Sequence, residues 1–147
     1  MAGAGTAGFS IGLEHSVTIA PALVLGDPNA VKVARYGPEP TGVKAGTNPW
    51  SPDATATVTD RRTVSSLLQD ANNLPVFPSG NFSCPSNDGS HYEVQFYFAN
   101  GDRRTLFADR TGCRGVGFQE AASGSNVSIA WSLTDPHLLN DLDALFH

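Results

Sequence analysis

The residues of this chain that could do chemistry are two cysteines, four histidines and a scatter of serines and carboxylates. Cys84 and Cys113 are the only cysteines, and the segment between them reads as a complete β-hairpin with one cysteine just outside each end. That placement brings their Cα atoms within the ~6 Å a disulfide requires. The bond would stabilise the fold by roughly 3–4 kcal/mol through loop closure. Because the pair is not Cys-x-x-Cys, it is read as structural, not redox-active. His15, His91, His137 and His147 are dispersed, none at metal-ligand spacing with another histidine or a cysteine. No metal and no cofactor are therefore expected. His91 lies close in sequence to Ser83 and Ser86, so a Ser–His pair, and with it a small serine hydrolase, is one reading. A surface histidine on a hairpin is the plainer one, and the chain is expected to be non-enzymatic. Asp141 and Asp143 do not share a helical face and are read as solvated.

Two further motifs are weaker. Gly3-Ala4-Gly5-Thr6-Ala7-Gly8 matches the dinucleotide fingerprint Gly-x-Gly-x-x-Gly. That fingerprint needs a strand before it to aim the turn, and only two residues precede Gly3, so the match is rejected. Asn81-Phe82-Ser83 and Asn126-Val127-Ser128 fit the N-glycosylation sequon, which is informative only in a eukaryotic secretory setting.

The elements that must position these residues sit in a chain of 147 residues, enough for a single domain with one core. Hydrophobic residues make up 40% and charged residues 16%, which fits a globular protein and excludes a disordered one. The net charge of −5, with two lysines against seven arginines, argues against nucleic acid as a partner. No apolar run approaches the ~20 residues of a membrane span. The N-terminal residues lack the basic region and apolar stretch of a secretory signal, yet the cysteine pair points to an extracytoplasmic location, secreted or in the cell envelope. A cytosolic protein with two buried thiols is the alternative.

Residues 1–15 are small and Gly-rich, a flexible N-terminus; 16–147 is read as a single α+β domain. His15 to Leu25 is β-rich and interrupted by Pro21, which suits an edge strand or two short strands. Gly26-Asp27-Pro28-Asn29 is a turn, and the strand Val31–Tyr36 follows with Val31 and Val33 on one face. Gly37 to Asp53 is a long Pro- and Gly-rich loop carrying Trp50, a contact residue if exposed and an anchor onto the core if not. Thr59 or Asp60 can cap a helix from Arg61, whose Val64, Leu67, Leu68, Ala71 and Leu74 form an apolar stripe ended by Pro75. Thr134 or Asp135, followed by Pro136, starts a second helix that buries Leu138, Leu139, Leu142, Leu145 and Phe146. With the hairpin and a strand at Val127–Trp131, these make an antiparallel sheet built around a central β-hairpin, with one or two helices packed on one face.

Asn100-Gly101 between alternating apolar residues is the strongest hairpin signal, since both tolerate the positive φ of a type I′ turn. A two-residue loop then sets Ala99 against Asp102, Phe98 against Arg103, Phe96 against Thr105 and Val94 against Phe107. Tyr92, Val94, Phe96 and Phe98 share the face turned to the first helix. The other face carries Glu93, Gln95 and Tyr97 opposite Ala108, Leu106 and Arg104. A Tyr97–Arg104 cation–π contact on that face is a candidate binding feature.

The order helix, Cys-Pro, strand, turn, strand, Cys resembles two actinobacterial groups over roughly residues 60–115. One comprises exported proteins of unknown function, matched by Leu74-Pro75, Cys84-Pro85-Ser86-Asn87-Asp88-Gly89, Gly101 and Gly112-Cys113. The other is the Streptomyces subtilisin inhibitor family, matched by Asp70-Ala71-Asn72-Asn73-Leu74, then Cys84-Pro85, the hairpin and Cys113. The second resemblance implies a reactive loop at Cys84-Pro85-Ser86-Asn87 with Ser86 in the specificity position. Two departures stand beside it: the family's earlier disulfide has no counterpart after Val31-Lys32-Val33, and Ser86-Asn87-Asp88-Gly89 reads as a tight turn. The expected function is an exported or envelope-associated interaction domain acting on another protein through surface contacts. Pro85, Ser86, Asn87, Trp50, Tyr97 and Arg104 are the candidate contact residues, and a serine-protease inhibitor is the alternative.

Overall fold

A computed structural model describes residues 26–38, 51–75, 83–119, 126–131 and 137–147. The expected strand at His15–Leu25, most of the Gly37–Asp53 loop and Trp50 lie outside these residues. The described strands are β1 (Ala30–Tyr36), β2 (Ala54–Val58), β3 (His91–Tyr97), β4 (Arg103–Asp109), β5 (Gly115–Gln119) and β6 (Asn126–Trp131). Two helices accompany them, α1 (Arg61–Asn72) and α2 (His137–Ala144). The strands form one sheet in the order β2-β1-β3-β4-β5-β6, with every neighbouring pair antiparallel. The β3–β4 hairpin is therefore central, as expected, and the fold is α+β.

Period-two alternation makes one face of this sheet hydrocarbon. Val31 and Val33 of β1, Tyr92, Val94 and Phe96 of β3, Leu106 and Ala108 of β4, and Val116 of β5 are all fully buried. Val64, Leu67 and Ala71 from α1, and Leu138, Leu139 and Leu142 from α2, complete the same core. Helix α1 begins where its cap permits. The Asp60 carboxylate accepts from the Thr63 N–H at 2.9 Å, satisfying a donor that the first turn leaves open.

The hairpin register differs from the expected one by a single residue. Tyr97 pairs with Arg103, Phe96 with Arg104 and Val94 with Leu106. The loop is closed by Gly101 N–H to Phe98 C=O and by Phe98 N–H to Asp102 C=O, both 3.0 Å, so three residues turn the chain rather than two. Only Gly101 takes a positive φ there, +91°, while Asn100 stays in the ordinary region and bonds to Asp102 instead. A three-residue loop with glycine in the left-handed position replaces the type I′ turn. Because side chains alternate, this slip moves Leu106 and Ala108 from the outer face to the core. It also puts Tyr97 and Arg104 on opposite faces, which removes the expected contact between them. Tyr97 instead donates its hydroxyl to Gln95 at 2.7 Å.

Two strands were not anticipated. β2, Ala54-Thr-Ala-Thr-Val58, alternates small and β-branched residues within a stretch dominated by its prolines and glycines. β5 carries two glycines, Gly115 and Gly117, with a register irregularity between Val116 and Gly117 in its pairing with β6. Glycine lowers strand propensity, and only sheet pairing on both sides makes this segment a strand.

Candidate functional site

The Cys84–Cys113 disulfide is present, with the Cα atoms 5.0 Å apart. It joins the segment entering β3 to the turn leaving β4, outside the hydrocarbon core. Residues 83–88 are all exposed and contain no regular element. The side chains of Asn87 and Asp88 are nonetheless tied down, as Cys84 is by the disulfide. The Asn87 amide donates to Asp109 at 3.4 Å, and the Thr111 hydroxyl lies 3.3 Å from Asn87 Oδ1. The Asp88 backbone N–H donates to Thr111 Oγ1 at 3.1 Å, while Asp88 Oδ1 accepts from the Thr111 and Ser90 hydroxyls at 2.9 and 2.6 Å.

The expected tight turn at Ser86–Gly89 is made by side chains. Gly89 N–H donates to Asn87 Oδ1 at 2.8 Å and Ser90 N–H to Asp88 Oδ1 at 2.9 Å, two successive Asx-turns. Across the corner, Arg114 N–H reaches Thr111 C=O at 3.3 Å, with Gly112 at φ +71°. A Cβ on Gly112 would come within 2.9 Å of Asn87 Cβ, so glycine is required both by the backbone and by this close approach. The donors around Asp88, led by the Ser90 hydroxyl, hold its carboxyl below the ordinary range. Asp109, half-buried beneath the corner, is shifted the other way, chiefly by burial.

Beside the corner, one end of the core closes with charged and aromatic groups. Tyr92 is fully buried and donates its hydroxyl to Asp143, which corrects the expectation that Asp143 is simply solvated. Burial first, then this acceptor, raises the phenol pKa, so the group remains a donor across the ordinary pH range. The Arg110 guanidinium lies 5.3 Å above the Tyr92 ring and donates to the Tyr36 carbonyl at 3.3 Å. The Phe146 ring stacks on Tyr92 at 6.0 Å, and Arg35 lies over Phe146 while pairing with Asp53 at 2.9 Å. Between the corner and α2 opens a cleft of about 360 Å³, bounded by Asp88, Ser90, Arg110, Thr111 and Arg114 on one wall and by Leu139, Asn140 and Asp143 on the other, with Pro38 also in its lining.

The expected contact residues thus separate. Pro85, Ser86 and Asn87 lie together on the exposed corner. Tyr97 and Arg104 sit on the hairpin, on opposite faces of the sheet, and Trp50 is outside the described residues. His91 stacks on Tyr36 at 4.5 Å and places Nδ1 2.9 Å from the Gly89 carbonyl. The Ser83 and Ser86 hydroxyls form no hydrogen bond to it among the described residues. Arg110, Thr111 and Asp143 were missed. Nothing in their local spacing marks them, because three chain segments must meet before they share a cleft. No group of three or more metal-ligating side chains occurs among the described residues, and no helix there is long and apolar enough to cross a membrane. No protein-family model, curated protein or solved structure matches the chain.

Proposed function

We propose that this chain is an extracytoplasmic interaction domain that engages another protein through the segment Cys84–Asp88. One observation carries the reading: residues 83–88 are exposed throughout, yet are anchored by a disulfide at Cys84 and by side-chain bonds at Asn87 and Asp88. A segment held this way gives up little conformational freedom on binding, which is how rigid loops gain affinity. The oxidised cysteine pair supports a location outside the reducing cytosol.

The same anchoring favours a second reading, a subtilisin-type serine-protease inhibitor with Ser86 in the specificity position. An inhibitory loop must be extended, exposed and supported on both flanks, and the Asx-turns leave Pro85 and Ser86 free of any hydrogen-bonded backbone turn.

Two measurements test these readings. Backbone ¹⁵N relaxation should give Ser86 an order parameter near the rigid value of about 0.85. A value typical of a floppy loop would remove the presentation reading. Titration of subtilisin with the wild type and with Ser86→Pro distinguishes the inhibitor. Inhibition at micromolar protein, lost in the variant, supports it; no inhibition by the wild type eliminates it.

A further inference from the structure

Tyr92 holds two opposite charges in one cleft without letting them meet. Its ring carries the Arg110 guanidinium on one face, and its hydroxyl is bound to the Asp143 carboxylate. Arg110 is half-buried, and its position is set by the ring and by the Tyr36 carbonyl. It forms no ion pair with a carboxylate among the described residues, Asp143 included. A guanidinium has five donors in a planar fork that suits a carboxylate. Here one bond goes to a backbone oxygen, and the charge is left facing the cleft.

Asp88 on the same wall feels the Arg110 charge without forming an ion pair with it. Asp88 is engaged by Ser90 and Thr111 through three hydrogen bonds at 2.6–2.9 Å. On the facing wall Asp143 accepts from Tyr92 through one oxygen, and the exposed Asn140 lies one turn earlier on α2. The cleft thus presents Arg110 on one wall, beside Arg114 and the hydrogen-bonded Asp88, and Asp143 on the other, and the buried Tyr92 side chain holds both Arg110 and Asp143. Its volume of about 360 Å³ lies within the range of small-molecule sites.

We propose that this cleft binds a small zwitterion of amino-acid or dipeptide size, its carboxylate on Arg110 and its ammonium at Asp143. Such a ligand satisfies both walls at once. A simple anion would meet the Asp143 carboxylate, and a simple cation would meet Arg110. The site adjoins the exposed Cys84–Asp88 segment at Asp88, which lines the cleft, but the two groups that would hold the ligand, Arg110 and Asp143, lie outside that segment.

Glycylglycine is the probe, titrated into the full oxidised chain while amide shifts are followed by NMR. Saturable shifts confined to Ser90, Arg110, Thr111, Asn140 and Asp143 are expected. N-acetyl-glycylglycine lacks the ammonium and glycylglycine amide lacks the carboxylate; each should bind at least about tenfold more weakly. Arg110→Met keeps the side-chain stem over Tyr92 and should lose binding to the same extent while retaining the native spectrum. Asp143→Asn should abolish the preference for glycylglycine over its N-acetyl form. Absence of saturable shifts at about 10 mM probe overturns the proposal. So does equal binding of the acetylated peptide, which would mark a plain anion site, or undiminished binding by a folded Arg110→Met.

Discussion

Val94 and Phe96 in the middle of β3 are fully buried among valines and leucines, held by hydrocarbon packing and by strand pairing on both sides. A few residues upstream, Cys84 to Asp88 are exposed, and a disulfide with a ring of side-chain hydrogen bonds holds them. The first region is stabilised because leaving water is favourable for its atoms. The second gains nothing from burial, so its shape has to be imposed by covalent and directional bonds. Exposed chain fixed by other means is suited to being touched, whereas the centre of β3 is suited to holding the sheet on its helices.

If that contrast is right, the largest effect comes from the core. Phe96→Ala should lower the unfolding free energy by about 3–5 kcal/mol, measured by urea denaturation. The Cys84→Ser/Cys113→Ser double variant should lose roughly 3–4 kcal/mol for a separation of 29 residues. Its hydrogen exchange should accelerate at Ser86–Ser90 well before it does at Val94. Uniform acceleration would mean that the corner and the core are one cooperative unit, and the comparison would fail. Tyr92 belongs to both regions, and Tyr92→Phe should cost about 1–2 kcal/mol by leaving Asp143 without its donor.

The smallest effects are pH-dependent and run in opposite directions in two neighbouring carboxylates. Asp88 has its folded pKa depressed by the Ser90 and Thr111 donors. It therefore contributes stability above the unfolded value of about 3.9, and the contribution is lost as pH falls through the folded pKa. Asp109 has its folded pKa raised, chiefly by burial. Its contribution is present below about 3.9 and is lost as pH rises through the folded pKa, so at neutral pH the charge is a cost. Asp109→Asn can still accept from the Asn87 amide. It should melt at a higher temperature than the wild type at pH 7, with the difference closing as the pH approaches 4. A difference that is flat with pH would show that burial of the charge is not the cause.

Much of the architecture was legible because local signals agreed. Asp60 before an apolar stripe at helical spacing produced α1, the leucines after Pro136 produced α2, and Val31 and Val33 alternate as β1 requires. The cysteines flanking a hairpin were enough to pair them. Where local signals were weak or ambiguous, the reading missed or slipped. β5 is rich in glycine and becomes a strand only by pairing with β4 and β6. The turn at Asn100-Gly101 is compatible with two loop lengths, and the dipeptide does not distinguish them.

The amino-acid sequence by itself determined the fold class, the two helices, the central hairpin and the disulfide that closes it. Each of these follows from residues close in the chain or from a covalent pair with no alternative partner. Tertiary structure alone decided the hairpin register, because the side that buries Leu106 and Ala108 is set by which pairing fills the core under the helices. It alone made Cys84–Asp88 an anchored surface, since the anchoring groups Asp109, Thr111 and Cys113 arrive from the far end of β4 and the turn that follows it. It alone set Arg110 and Asp143 on one ring: they are far apart in sequence, and a shared buried side chain is what relates their charges.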